Sequence, residues 1–515
     1  MADAASTART ASLLDSLTSQ GDVRSSLASK GWWFSLSQVD LPSKQLASGD
    51  WRLDAEFFTA DSVAANDLLS SKQLRPQPLS SIADLYVLGR FKRIYTPDSD
   101  RGSPYLSASE AFLFRPGSSR FLARQHLPQD AARHFAQAGS LLLSTSGSVG
   151  RPLYVTKRLE RFFLTHDLAR IVVRPESGYL AGYVYAVLAS SFGVILRQSK
   201  YGAAVRHIEP SHLKTFAIPR LPLREQRIIH DQVVGAYGLR DQANALLDRA
   251  LDKLYAETGV NPIDQGDLKL LSPPAPHRIG GYDYPTPRAF EVKSSQLRSG
   301  LAASGHDPTL SAVRHSLGKG RFPVVSLSAG VSECRLPNRF KRTYVDSEYG
   351  VPFLQGSDLP LVRPFLLKYI SRKDRAMVEA CEVRESWVLV TRSGTIGEVA
   401  LVPRAYDHWT VSEHVIRIVP RKGATAFHPG YIAAYLMTPL GRAQLTPYGA
   451  VVMEITPETV SSVLVPSAPA SIQSAIGSLV MRATELRADA TRTEDEAVST
   501  AEQAVRNLAA KGIQR

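Results

Sequence analysis

Two cysteines in 515 residues, Cys334 and Cys381, are too few for a disulfide framework, and their spacing matches no zinc-binding pattern. A reduced, cytoplasmic protein is the expectation. No apolar run approaches the 18 or so residues that a bilayer span needs, so no membrane is expected among the partners. Residues 1–27 are rich in Ala and Ser, are interrupted by charges and lack the apolar core of a signal peptide. Nucleotide-binding signatures are missing too. Gly318-Lys319-Gly320 lacks the upstream glycine of a phosphate loop, and no G-x-G-x-x-G follows a strand-like run. The Asn/Asp-Pro-Pro-Tyr/Phe signature of amino-methyltransferases is absent, and Ser272-Pro273-Pro274-Ala275-Pro276 reads as a linker. Scattered carboxylates such as Asp167, Glu382 and Glu385 form no recognisable nuclease constellation. An enzyme reading therefore finds no catalytic or metal site.

Acidic residues are outnumbered: 61 Lys and Arg against 48 Asp and Glu give a formal charge of +13 and a pI near 9.6. That balance fits a polyanionic partner, although it also serves solubility alone. The pattern along the chain is more telling. Gly139 to Val155, an apolar run, Ser146-Gly147-Ser148-Val149-Gly150 and a second apolar run, recurs as Glu385 to Val402 around Ser393-Gly394-Thr395-Ile396-Gly397. Each copy reads as strand, tight turn, strand. Further matches keep offsets of 247 to 249 residues: Arg90 to Tyr95 with Arg339 to Tyr344, Gly102 to Leu106 with Gly350 to Leu354, and Gly182-Tyr183 with Gly430-Tyr431. Thr165-His166-Asp167 faces Ser412-Glu413-His414, Tyr201-Gly202-Ala203 faces Tyr448-Gly449-Ala450, and Ile218-Pro219 faces Val465-Pro466. A period that long makes each copy a domain rather than a solenoid repeat.

The resulting layout is an extension over 1–45, a mixed domain over 46–222, a long helix over 223–258, a Pro-rich linker over 259–277, a second domain over 278–466 and a second long helix over 467–512. Gly31 to Leu36 looks like a strand, Trp51 to Phe58 leads into a helical stretch, and one helix is expected from Tyr183 to Gln198. In the first long helix Ile229, Val233, Ala236, Leu239, Ala243, Leu247, Ala250 and Leu254 recur at steps of three and four. In the second, Ile472, Ile476, Leu479, Ala483, Leu486, Ala490, Ala497, Ala501, Ala504 and Leu508 do the same. Such narrow stripes are coiled-coil seams. The expected fold class is α+β, with two repeated mixed α/β domains separated by two long helices packed as an antiparallel coiled coil. That pairing would hold the domains at opposite ends; the alternative packs each helix on its own domain.

Candidate chemistry lies in cations. Arg90, Lys92 and Arg93, and their counterparts Arg339, Lys341 and Arg342, surround one aromatic before a Tyr. They could track phosphates or, as arginine, read guanine edges; alternatively they guard a solvated strand edge. Lys200, Arg206 and His207 form a second candidate loop, whose cations are lost at Thr446 to Met453 in copy two. Arg392 flanks the second Ser-Gly-x-x-Gly turn. His166-x-x-x-Arg170 and His414-x-x-Arg417 do not align, which favours structural histidines.

These residues resemble the specificity subunit of type I restriction-modification systems. The Gly-x-Pro-Tyr/Phe-Leu segments, the Ser-Gly-x-x-Gly loops and Ser412-Glu413-His414 carry the likeness, with Ile218-Pro219-Arg220-Leu221-Pro222-Leu223-Arg224-Glu225-Gln226 the best-matching run. Copy two, from Val465 to Ile472, lacks the Glu-Gln pair. The resemblance spans about Trp51 to Leu508. It implies a non-catalytic subunit with two target-recognition domains, each reading half of a bipartite duplex DNA site in the major groove. It also implies no cofactor of its own, with S-adenosylmethionine, ATP and Mg on partner subunits. Those partners would be methyltransferase (M) subunits, two of them, and a translocating endonuclease (R) subunit in phage defence. On this reading Leu239, Leu247, Leu254, Leu479 and Leu486 on the helices carry the partner interface and the spacing. The competing expectations are a self-contained nuclease or defence effector on the same readers, and a protein-interaction scaffold without DNA.

Overall fold

The computed structural model describes residues 59–117, 120–199, 207–261, 308–445 and 453–511, together with the strands His277–Ile279 and Tyr282–Tyr284 and Ser294. The expected strand at Gly31 to Leu36, the stretch from Trp51 to Phe58 and most of the linker lie outside these residues. What is described mixes short strands with helices.

The first half carries β1 (Gln77–Pro78), β2 (Ala83–Tyr86), β3 (Tyr95–Thr96), β4 (Gly102–Leu106), β5 (Phe121–Ala123), β6 (Leu141–Ser144), β7 (Pro152–Tyr154), β8 (Phe163–Leu164), β9 (Leu168–Val173) and β10 (Ala217–Ile218). Helix α1 (Ala181–Ala189) precedes β10, and α2 (Leu223–Thr258) follows it. After the β11–β12 hairpin (His277–Ile279, Tyr282–Tyr284) come β13 (Val324–Ser326), β14 (Val331–Arg335), β15 (Gly350–Leu354), β16 (Lys368–Ser371), β17 (Val388–Thr391), β18 (Val399–Leu401), β19 (Thr410–Val411), β20 (Val415–Pro420) and β21 (Leu464–Pro466). Helix α3 (Pro429–Met437) lies before β21, and α4 (Ala470–Lys511) after it. Four-stranded sheets run β2-β9-β6-β7 and β14-β20-β17-β18. In the smaller sheets β4 pairs antiparallel with β5 and parallel with β8, as β15 does with β16 and β19.

The Ser-Gly-x-x-Gly segments are the turns between β6 and β7 and between β17 and β18. Gly150 and Gly397 take φ of 77° and 79°, a conformation that strains any residue with a Cβ. Their amides return to Ser144 O and Thr391 O at 2.8 and 3.1 Å. Each turn joins an internal strand, β6 or β17, to an edge strand, β7 or β18, and on the internal strands Leu141, Leu142, Leu143, Val388 and Val390 are wholly buried.

Helices α1 and α3 are apolar on nearly all sides because sheet covers one face and the long helices the other. Gly182 and Gly430 mark the approach: a Cβ there would stand 2.7 Å from the His230 backbone and 2.3 Å from Gly477 O. The neighbouring Tyr183 and Tyr431 hydroxyls donate to Pro219 O (2.9 Å) and Pro466 O (2.8 Å), which ties the Gly-Tyr and Ile/Val-Pro segments together. The single helix expected from Tyr183 to Gln198 is broken. The Ser190 hydroxyl accepts from Phe192 N, a 3-10 turn spans Ser191–Gly193, and a new helix runs Val194–Gln198.

The reading that copy two lacks the Glu-Gln pair also needs correcting. Gln226 accepts from Leu180 N (3.1 Å) and donates to Leu221 O (2.9 Å). Gln473 accepts from His428 N (3.0 Å) and donates to Ala468 O (2.7 Å). Copy two therefore keeps the Gln, one residue past Ile472, and lacks only the exposed Glu.

Helices α2 and α4 have 36 and 42 residues, and α2 runs unbroken through Gly235 and Gly238. They lie side by side with opposite sense. Pro222, Glu225 and Ile228 share a groove with Asn507, Leu508 and Lys511, Arg240 meets Glu494, and Leu247 and Leu254 share a core with Ile476, Val480 and Leu486. Both helices pack on both halves. Ile229, Val233 and Tyr237 join Ala497, Ala501 and Val505 in the first core, while the C-terminal half of α2 and the N-terminal half of α4 join the second. Neither sequence alternative anticipates this sharing. Leu247, Leu254 and Leu486 are buried, but Leu239 and Leu479 are only half-buried, their places on the seam taken by Arg240 and Val480.

Nor do the helices simply hold the domains apart. Leu113 bridges Leu361, Phe114 N donates to Pro360 O (2.8 Å) and Val362 N to Phe112 O (2.8 Å), so the two halves touch at mid-molecule. Beneath this crossing the wholly buried Glu494 takes Arg240 Nη2 at 2.5 Å, Arg363 Nη1 at 2.8 Å and the Tyr185 hydroxyl. Burial works to raise the Glu494 carboxyl, and the two guanidiniums outweigh it, holding it at about 2. Because the folded value lies below the ordinary 4.5 of an unfolded glutamate, the stabilisation is complete above that pH and lost as pH falls toward 2. The urea midpoint of Glu494→Gln should accordingly lie below that of the wild type by a constant margin from about pH 8 to about pH 5, and the margin should shrink in more acid solution.

Candidate nucleic-acid interface

Arg90 to Tyr95 leads into β3, and Arg339 to Tyr344 reaches the edge of the sheet containing β15, through the Tyr344–Ile370 bridge. The structure places the side chains of each Arg-Phe-Lys-Arg quartet in different surroundings. Phe91 turns inward, edge-on to Phe163 at 5.4 Å and to Tyr105 at 6.5 Å. Phe340 does the same against Phe353 at 6.2 Å. The last arginine is internally engaged. Arg342 donates to both Glu413 oxygens at 2.7 Å, and Arg93 lies 3.8 Å from Asp167 and 5.5 Å from the Tyr105 ring centre. Burial works to raise the Glu413 carboxyl, and Arg342 overcomes it, leaving the carboxyl below its usual range. Arg90, Lys92, Arg339 and Lys341 are exposed and make no ion pair among the described residues. Arg93 is exposed as well, with its side chain 38% accessible beside Asp167.

The turn loops are tied to the same segments. Ser146 Oγ donates to Asp167 Oδ1 (2.5 Å), and Ser393 Oγ shares a hydrogen bond with His414 Nδ1 (2.7 Å). Asp167 and His414 thus occupy matching places, and so do Arg170 and Arg417. Both arginines are about 2% exposed and depressed to about 10 by burial. Arg170 donates to four backbone carbonyls, those of His134, Leu164, Thr165 and Leu168, and Arg417 donates to Glu382 O. These arginines bind loops, not ligands. Arg392 is ion-paired with Glu454 beside the Ser393–Glu454 bridge, so its charge is already spent within the loop. His207 bridges Ser146, whereas Lys200 and Arg206 lie outside the described residues, as does the facing loop over 446–452. Both thiols are pushed up by burial, Cys334 to about 12 and Cys381 to about 11, which makes them poor nucleophiles. Among the described residues no group of three or more His, Cys, Asp and Glu is placed to hold a metal ion, and no helix is long and apolar enough to cross a membrane.

One cation pair escaped sequence reasoning. Arg124, just past β5, donates to Asp100 O (2.8 Å), and Arg372, just past β16, donates to Glu348 O (3.0 Å). Both are exposed, on the same sheets as the quartets. The signal was the 248-residue offset itself, obscured because Phe121-Leu122-Ala123 and Tyr369-Ile370-Ser371 share no identity. Of the helix leucines, Leu239 and Leu479 are half-buried. Leu247, Leu254 and Leu486 are enclosed between the helices and the second domain.

No family model matches the chain, and no curated relative matches it. Among solved structures it is similar to a type I restriction-modification S subunit from M. genitalium (12% identity, 84% of this chain and 95% of that one, TM-score 0.30). It is also similar to an HsdS subunit from Thermoanaerobacter tengcongensis (14% identity, 84% and 96%, TM-score 0.25). A third likeness is to a chain from a study of complex assembly and conformational transition of the type I R-M system (15% identity, 85% and 96%, TM-score 0.24). At these values they are resemblances and no more.

The division of the quartets has a consequence for stability that needs no ligand. Arg342→Ala strands a Glu413 side chain that is only 9% exposed, and should cost about 1–3 kcal/mol in urea unfolding. Lys341→Ala, on the exposed side, should stay within about 0.5 kcal/mol of the wild type.

Proposed function

We propose that this chain is a non-catalytic, sequence-specific DNA-binding subunit that reads a bipartite duplex target, one half-site per domain, in a type I restriction-modification complex. The observation that carries the reading is the pairing of exposed cations at matching places on two similar sheets: Arg90, Lys92 and Arg124 on one, Arg339, Lys341 and Arg372 on the other. Two such faces on a common pair of long helices suit a duplex contacted twice at fixed separation. The sequence motifs that resemble the specificity subunit fall on this same framework of turns, sheets and helix junctions. In this account the helices form an antiparallel coiled coil between two target-recognition domains. Two methyltransferase subunits carrying S-adenosylmethionine dock on the helices' outer faces, where Leu223 and Ile228 are 53% and 52% exposed. A translocating endonuclease using ATP and Mg joins them.

The test is binding of the purified chain to duplex DNA across salt. If each of Arg90, Lys92, Arg339 and Lys341 neutralises one phosphate, their joint replacement by Ala should reduce the log–log salt slope by roughly three to four in magnitude. Folding should be unaffected. An unchanged slope would return these cations to the role of guarding a strand edge.

A further inference from the structure

The crossing at mid-molecule is fastened on both of its sides. Its first strand of chain, Phe112 to Arg115, is fastened to α2: Asn244 Nδ2 donates to Phe114 O (2.9 Å), and Arg115 pairs with Asp248 (2.6 Å). Its second, Leu359 to Phe365, is fastened to α4. Arg487 donates to Leu359 O (2.7 Å) and Leu361 O (2.6 Å), and Arg363 pairs with both Glu494 and Asp495 (2.8 and 2.6 Å). Arg115–Asp248 and Arg363–Asp495 are the same contact, repeated at the offset of the duplication.

Three ties then join the strands to each other. They are the two backbone hydrogen bonds around Leu113 and Leu361, the Arg487 guanidinium 4.6 Å over the Phe114 ring, and Arg151. Arg151, from the turn of the first domain, donates to Arg363 O (3.0 Å) and lies over both Phe112 and Phe365, at 4.5 and 5.3 Å. It is 7% exposed, and its charge is spread over two rings and a carbonyl from the opposite half.

We propose that this clasp, Phe112 to Arg115 against Leu359 to Phe365 with Arg151 and Arg363 as its bolts, sets the separation and angular phase of the two DNA-reading faces. The inference rests on the DNA-reading function proposed above. The helix pair holds each domain along its own half, so without further contacts the relation between the halves would depend on the stiffness of the helices alone. With the clasp closed, each domain is fixed at two places, on its half of the helix pair and at the centre, so rocking requires breaking the central contacts. On B-DNA one base pair of spacer is about 3.4 Å of rise, so a rigid clasp admits one spacer length and a loosened one several.

The experiment uses the full chain with Arg363→Lys, Arg363→Ala and Arg151→Ala/Arg363→Ala. The first keeps the charge but loses the fork that spans Glu494 and Asp495. Hydrogen–deuterium exchange of peptides holding Phe114 and Val362 reads the clasp directly, because both amides donate across it. Selection from a randomised duplex pool reads the half-sites and the gap between them. The expected result is one gap length for the wild type. The variants should show exchange at these peptides faster by at least tenfold and a spread of gap lengths around unchanged half-sites. Faster exchange with the single gap retained overturns the clasp as the spacing element and leaves the DNA-reading function standing. Unchanged exchange in the double variant shows that Arg151 and Arg363 do not hold it. A wild-type chain that enriches no bipartite sequence overturns the DNA-reading function, and the spacing role with it, whatever the exchange shows.

Discussion

A single carboxylate without access to water constrains the rest of this molecule. Glu494 sits on the apolar seam of the second long helix, where the other long helix has Leu247. A buried charge is tolerable only beside its counter-charges. Its counter-charges come from different places: Arg240 from the facing helix, Arg363 from the second domain, with a hydroxyl from Tyr185 in the first. Sliding either helix by one turn would move Arg240 about 5.4 Å away and leave the charge stranded. A leucine could fill the same volume with no loss of burial. The ion pair is made in this register, between two stripes with many small side chains, Ala236, Ala243, Ala483, Ala490 and Ala497 among them.

From that register the division of labour follows. Helices, Gln226 and Gln473, Tyr183 and Tyr431, and the buried Arg170 and Arg417 satisfy one another and form the frame. The histidines show how such a frame tolerates change. Gly182 N donates to His230 on α2 (2.9 Å), whereas Gly430 N donates to His428 at the start of its own helix (3.2 Å). Gly477, which matches His230, leaves the room that the His428 ring fills. The same amide is satisfied by an imidazole from a different element. Side chains that face outward, on the small sheets and turns, carry no such obligation and are free to differ between the halves.

Much of this was legible in the chain because it is written twice. The turn glycines, the hairpins and the helix stripes each follow from local chemistry and recur at one offset. What escaped notice is non-local. Glu494 interrupts a hydrophobic stripe, and stripe counting steps over it. Gln473 was missed because Ile472 stands where Glu225 does, and the match resumes one residue later. Which cation of Arg90–Arg93 turns inward depends, in the second copy, on Glu413, 71 residues from Arg342. The central crossing pairs Leu113 with Leu361, a contact no local pattern announces.

The central claim, two independent readers on one frame, is tested most directly by exchanging one of them. The first domain would be replaced with a homologous domain between about residues 59 and 221, keeping Phe112 to Arg115 and Arg151 so that the central contacts survive. Methylation sites would then be mapped in cells that express the chimera with the methyltransferase and endonuclease subunits proposed as its partners. The account predicts that one half of the recognised sequence changes while the other half and the spacer stay as they were. A chimera that altered both halves together would contradict it.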